Sequence, residues 1–316
     1  MKAAAVLALS VLSLVGAAGA LSHPGIGAPA QTYRVTVEGV RVDVLVTENR
    51  RVVRGLTAAD FELRDSGVAQ TIESVSFEDV PVSVMLVLDT SASVRGTPLE
   101  HLKQAATALV DRLRPDDRAA LMTFSGTVSL ACDWTSDTGR LRAAIGYVEA
   151  GGATALYDAT FSALMLRDPS PGRPLVLVFS DAGDTSSWLP GARVVELAQR
   201  QDAVVYGVTL QNPNRPALEY LADFTSGLQP ALPNVVPGAF SQPFVERLAQ
   251  ESGGRVLAAE KSDQIQPIFE TIIAEFRTRY VLTYMPRGVE AAGWHPLRVT
   301  IRNRSGLVTA RPGYLR

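Results

Sequence analysis

The chain has 316 residues, 47% of them apolar, 20% charged and 7% aromatic, a composition that excludes wholesale disorder and collagen-like repeats and allows one large or two ordinary domains. Thirty Lys and Arg against 32 Asp and Glu leave a net charge of -2, so no electrostatic footprint points to nucleic acid or an anionic membrane. One cysteine, Cys132, rules out an intrachain disulfide and a Cys-rich zinc site, and His23, His101 and His295 leave little for histidine-based chemistry, so hydroxyls and carboxylates must carry what chemistry there is.

Met1 and Lys2 precede an uncharged Ala/Val/Leu run to about Ala17, then the small triplet Ala18-Gly19-Ala20, the order of a secretory signal peptide over residues 1–20. Cleavage is expected after Ala20. The run is short and alanine-rich for a bilayer span of roughly 20 strongly apolar residues, no later stretch is long and apolar enough, and Leu21 stands where a lipid anchor needs a cysteine. A secreted or periplasmic mature chain without a transmembrane segment follows, in which Cys132 reads as a small buried side chain. Residues 21–32, with Pro24, Gly25, Gly27 and Pro29, read as a flexible leader.

From Tyr33 the pattern alternates: Val35 and Val37, then Val42, Val44 and Val46, then Phe61 and Leu63, then Ile72, Val75 and Phe77, broken at Glu48-Asn49 and Asp65-Ser66-Gly67. The last forty residues repeat this texture at Tyr280, Leu282 and Tyr284, at Leu297, Val299 and Ile301, and at Leu307 and Val308. Neither segment is long enough to close a sandwich alone, so 33–80 and 278–316 are expected to pair into one small β-sandwich-like domain, with 81–277 inserted between them.

The inserted part reads as α/β. Val82 to Leu88 is a continuous apolar run, typical of a strand buried on both faces. Thr97-Pro98-Leu99-Glu100 predicts a capping box opening a helix that carries Leu99, Leu102, Ala106, Leu109, Val110 and Leu113 until Pro115. Ala119 to Phe124 and Thr127 to Ala131 predict strands joined by a tight turn, the second an antiparallel edge. Helices are expected around 141–148, 156–166 and 194–198, strands at Leu175 to Phe179 and Val204 to Val208, a short helix from Phe244 to Gln250 ended by Gly253-Gly254, a strand to Ala258, and a closing helix with Ile265, Phe269, Ile272 and Phe276. This alternation implies a doubly wound, mostly parallel sheet. Residues 211–242, with five prolines and no period, form a long loop of the kind that is usually functional or mobile, and its role is not legible.

Chemistry gathers at one end of that sheet. Asp89-Thr90-Ser91-Ala92-Ser93 follows the first buried strand, and alternate side chains of an extended segment share a face, so Asp89, Ser91 and Ser93 converge. Thr154 precedes a helix, and Asp181 directly follows the strand ending Phe179-Ser180. Oxygen donors on three loops suit a hard divalent cation such as Mg²⁺, which takes about six oxygens and keeps waters where the protein offers none. Neutral hydroxyls outnumber the carboxylates, so an incoming carboxylate is favoured at the open position.

This pattern resembles the von Willebrand factor type A (vWA) family, whose metal-ion-dependent adhesion site (MIDAS) combines an Asp-x-Ser-x-Ser motif with a later Thr and a later Asp. The resemblance implies Mg²⁺ (or Mn²⁺ or Ca²⁺) contacted by Ser91, Ser93 and Thr154, with Asp89 and Asp181 bound directly or through water, and a Glu or Asp of a partner protein completing the shell. The flanks, Gly55-Leu56-Thr57-Ala58-Ala59-Asp60-Phe61 and Arg311-Pro312-Gly313-Tyr314, look like those of secreted bacterial vWA-related proteins, so the likeness covers nearly the whole mature chain. Ala153 departs from the Gly that often precedes the metal-site Thr, and Ala182 from the Gly that often follows the metal-site Asp; both stiffen their loops.

Other signals have blander readings beside them. Asp158 is a first-turn helix acid or a support for a ligand loop, and Asp184, Thr185 and Ser186 read as turn residues at the same rim. Trp188 either forms a binding hot spot there or packs on its own sheet. Arg50, Arg51 and Arg54 read as a solvated turn, His101 as a surface residue, and His295 has no partner in view. No Gly-x-Ser-x-Gly elbow or Gly-rich phosphate loop occurs, so an enzyme is not expected. The leading expectation is an exported binding protein; a scaffold in which the cation is only a staple, or a metal-assisted hydrolase using Asp89 or Asp181, are the alternatives.

Overall fold

The computed structural model describes residues 39–49, 51–77, 80–180, 183–210 and 244–316. The expected signal peptide and leader, Tyr33 to Val37, Arg50, Asp181, Ala182 and the loop 211–242 lie outside the described residues. The first part of the chain supplies β1 (Val40–Glu48), β2 (Arg51–Val52), β3 (Phe61–Asp65), β4 (Val68–Gln70) and β5 (Ile72–Phe77). The middle supplies β6 (Val82–Asp89), α1 (Thr97–Val110), β7 (Arg118–Phe124), β8 (Val128–Thr135), α2 (Thr138–Gly146), α3 (Leu156–Met165), β9 (Arg173–Ser180), α4 (Gly191–Arg200), β10 (Val204–Leu210), α5 (Phe244–Ser252), β11 (Val256–Ala259) and α6 (Ile265–Arg277). The last part adds β12 (Tyr280–Tyr284), β13 (Trp294–Ile301), β14 (Leu307–Thr309) and β15 (Gly313–Leu315).

The middle folds as a six-stranded sheet in the order β11-β10-β9-β6-β7-β8, parallel throughout except for β8. Every residue of β6 is buried, because alternate side chains enter two different cores. Val82, Val84, Leu86 and Leu88 pack with α1, α2 and α6, whereas Met85 and Val87 pack with α3, α4 and α5. Each such fully buried side chain contributes about 1.5–3 kcal/mol, so the central strand anchors both layers of a doubly wound α/β fold.

Two local expectations change. The Thr97 capping box does not form: Thr97 is already the first helical residue, the N-cap is Gly96 in the left-handed region at φ +83°, and no side chain caps the end. The edge strand β8 runs on to Thr135 with a register shift opposite Leu121; Asp133 interrupts its apolar residues and half of its side chains are exposed, so no single apolar run marks its length.

The outer parts of the chain form two antiparallel sheets, β14-β1-β12-β5 with β2 on β1, and β15-β13-β3-β4. Each mixes strands from both ends of the chain. Val42, Val44, Val46, Phe61, Leu63, Tyr280, Leu282 and Tyr284 fill one core between them. The buried Arg173 of β9 pairs with Asp43 of β1 and stacks over Phe276 at 4.5 Å. Arg311, also buried, donates to the carbonyls of Gln199 (2.6 Å) and Gln201 (2.7 Å), which end α4.

Candidate metal centre

β6 is the strand from which the chain first winds towards β7 and later, through β9, in the opposite direction. Ligands of open α/β sheets bind at such a switch point, outside the carboxyl ends of the strands. β6 ends there at Asp89 and β9 at Ser180. Asp89 is fully buried: Oδ1 accepts from the Ser91 N–H (2.9 Å) and Oδ2 from the Ser180 hydroxyl (2.7 Å). Each oxygen of a carboxylate has a second lone pair beyond such a bond.

Ser91 is buried and its hydroxyl lies 2.9 Å from that of Ser93. The two meet because Ala92–Val94 forms a 3-10 turn, not because the segment is extended, which revises the sequence argument while keeping its residues together. The loop carrying Thr154 is stitched onto this one by Ala92 N–H to Gly152 O (3.0 Å) and Gly151 N–H to Thr90 O (2.8 Å). Thr154 is buried, donates its N–H to Thr185 Oγ1 (2.9 Å), and accepts at its carbonyl from the N–H groups of Thr185 (2.8 Å) and Ser186 (3.1 Å). Three loops therefore interlock through main-chain bonds around Asp89, Ser91, Ser93 and Thr154.

The rim is as specifically made. The Asp158 carboxylate accepts from the N–H groups of Trp188 and Leu189, both at 2.9 Å. Asp184 accepts from the Ser187 hydroxyl and from Tyr157 N–H (3.2 Å); burial pushes its carboxyl above the usual range, against those bonds. Ser187 Oγ receives the N–H groups of Tyr157 (3.0 Å) and Asp158 (3.1 Å), closing the first turn of α3. Asp184 and Thr185 are thus fastenings of the loop as well as turn formers. Trp188 is 95% exposed and does not pack on its sheet. Ser186 Oγ is buried with no hydrogen-bond partner among the described residues.

Both described histidines are engaged elsewhere. His101 Nδ1 contacts Ser262 Oγ at 2.7 Å. His295 Nδ1 contacts Asp65 Oδ1 at 3.0 Å, in a buried cluster where Tyr284 and Tyr314 also donate to Asp65 Oδ2 at 2.8 and 2.9 Å. Sequence reading missed this cluster, since 230 residues separate His295 from Asp65 and no local pattern links them.

Residues 84–183 match the family described as von Willebrand factor type A domain. The chain carries a vWA domain. The matched span opens inside β6 and closes just beyond β9, so it contains Asp89, Ser91, Ser93, Thr154 and Asp181. An uncharacterized protein of Synechocystis sp. is 35% identical over 79 residues, 24% of this chain and 19% of that protein. A UPF0353 protein of Mycobacterium marinum is 24% identical over 232 residues, 67% of this chain and 64% of its own length. The chain therefore matches less than two thirds of either relative. Among solved structures, a von Willebrand factor type A protein from Catenulispora acidiphila superposes with a TM-score of 0.51 at 11% identity, over 86% of this chain and 75% of that one. Proximal thread matrix protein 1 of the mussel byssus, with a zinc-occupied MIDAS motif, gives 0.50 at 15% identity over 67% and 49%. Both show that the fold is shared.

The donor set of this vWA domain fits a hard cation: one buried carboxylate, a contacting hydroxyl pair and a further buried threonine, without thiolate or imidazole. Among the described residues no three His, Cys, Asp or Glu side chains converge, so the hydroxyls would have to share the coordination with Asp89.

Proposed function

We propose that this chain is an exported, non-enzymatic binding protein whose vWA domain captures a protein ligand bearing an exposed Asp or Glu. Asp89, Ser91, Ser93 and Thr154 would hold Mg²⁺, Mn²⁺ or Ca²⁺, with Asp181 as the further carboxylate that the sequence pattern supplies. The bound cation supplies a positive charge that a ligand carboxylate neutralises. The observation that carries this reading is the Asp89 carboxylate fixed at the switch point beside the Ser91–Ser93 hydroxyl pair. Its second carboxylate oxygen is held by Ser180, so the group is oriented before any ligand arrives.

Binding rather than catalysis is favoured because His101 and His295, the described candidates for a general base, have partners away from these hydroxyls. Export rests on the leader-like first twenty residues; among the described residues no helix is long and apolar enough to cross a membrane. The test is a pull-down from an envelope fraction with the mature chain in Mg²⁺. Capture should vanish in EDTA, return when Mg²⁺ is restored in excess, and fail with Asp89→Asn. Capture that persists in EDTA would count against the proposal.

A further inference from the structure

The indole of Trp188 is exposed to solvent over 95% of its surface. The main chain of Trp188 is nevertheless held, together with that of its two neighbours. Its own N–H and that of Leu189 end on the two oxygens of Asp158. Ser187 is bonded to Asp184 through both its N–H (3.2 Å) and its hydroxyl. Thr185 and Ser186 donate to the carbonyl of Thr154, the residue whose hydroxyl is a candidate cation ligand. The loop is thus joined to the cation site by the main chain of a site residue.

Holding a large apolar side chain in water contributes nothing to this fold. Holding the main chain beneath it does lower the loop-ordering entropy that a partner would otherwise have to offset on binding. Tryptophan is among the residue types enriched at interface hot spots. On the other flank of Thr154, the Arg95 guanidinium lies over Gly151, 3.6 Å from where a Cβ would stand there, and adds positive charge to the same rim. Arg95 thus stands beside the segment that leads into Thr154, and the Trp188 loop is bonded to the carbonyl of Thr154 itself, so charge and apolar area are both tied to that residue.

We infer that Trp188 and the cation site form one bipartite surface, whose ligand is a protein segment carrying an acidic residue beside a bulky apolar one, and that Asp158 is the positioning residue that fixes the main chain from which the indole projects. The carboxylate of the segment addresses the cation and Arg95, and its apolar side chain covers Trp188. This rests on the cation-and-carboxylate reading above, and the experiment separates the two. A random peptide library displayed on phage is panned on the full mature chain in Mg²⁺ and released with EDTA, and the recovered peptides are synthesised.

The expected peptides pair Asp or Glu with a nearby Leu, Phe, Tyr or Trp. Trp188→Ala should weaken them about 10- to 30-fold with unchanged Mg²⁺ affinity, whereas Met165→Ala, exposed at the far end of α3, should have no effect. Asp158→Ala should weaken the peptides while leaving Mg²⁺ affinity alone, and Asp158→Asn, which keeps one acceptor oxygen, should fall between. EDTA-released peptides that bind Trp188→Ala as well as wild type, or that lack the apolar residue, overturn this inference and leave the cation reading standing. A library that gives no EDTA-released peptide overturns both.

Discussion

Asp89 carries a structural duty on the same carboxylate to which the proposal assigns the cation. Replacing Asp89 with Ala strands the Ser91 N–H and takes one acceptor from the Ser180 hydroxyl, and an unsatisfied buried donor costs about 1–3 kcal/mol, so loss of binding in that variant would be confounded with loss of fold. Asn keeps the shape and one acceptor and removes the charge. Asp65 stands at the opposite extreme, a buried carboxylate whose duty is structural, accepting from Tyr284, Tyr314, Ser66 and His295. Asp65→Ala should cost about 3–5 kcal/mol in urea unfolding without altering cation binding; a loss below 1 kcal/mol would contradict that role. Glu275 gives the pH dependence. Burial pushes its carboxyl up, but hydrogen bonds from Arg255 and Tyr206 outweigh this and hold it below the ordinary 4.5. The folded state then binds fewer protons than the unfolded one near that pH, so the stabilisation is complete above 4.5 and is lost as pH falls through the lower, folded value. Glu275→Gln should therefore be less stable at neutral pH and converge on wild type in acid, whereas parallel stability curves would refute the linkage.

At the scale of elements, the parts legible in the sequence are those whose burial is uniform. β6, β9 and β10 announce themselves as largely apolar runs because both faces are covered, and α1 and α6 through the spacing of their buried leucines and isoleucines. What local pattern cannot carry is pairing between distant segments. β1 alternates visibly, yet nothing in it states that it pairs with β12 on one side and β14 on the other, or that β13 pairs with β3. The edge strand β8 was legible only in its first half, because exposure leaves its composition unconstrained. The Gly253-Gly254 pair was legible as a helix stop, but the reason both positions are glycine is tertiary. A Cβ on Gly253, which is also in the left-handed region at φ +84°, would lie 2.6 Å from the Arg311 nitrogen, and a Cβ on Gly254 would lie 1.9 Å from the Val205 carbonyl oxygen, where α5 closes on β10. Gly254→Ala should thus force β10 and α5 apart at a cost of about 3 kcal/mol, visible as a lowered denaturation midpoint; an unchanged midpoint would contradict this packing.

In the whole molecule, a doubly wound sheet and a β-sandwich drawn from both chain ends are joined by buried arginines, Arg173 on Asp43 and Arg311 on the end of α4. The motif of the candidate site was legible because the switch point of an α/β sheet is where Asp, Ser and Thr have an electrostatic use as well as a turn-forming one. The fastening of the Trp188 loop by Asp158 and Asp184 was not, since it joins a helix start to a loop some thirty residues later. The central claim, that these oxygens hold a divalent cation, is tested most directly by isothermal titration of Mg²⁺ and Mn²⁺ into EDTA-stripped mature protein. Wild type is compared with Asp89→Asn after circular dichroism has shown both to be folded. The account predicts a single saturable site in wild type and none in the variant. No binding by wild type, or equal binding by Asp89→Asn, would contradict it.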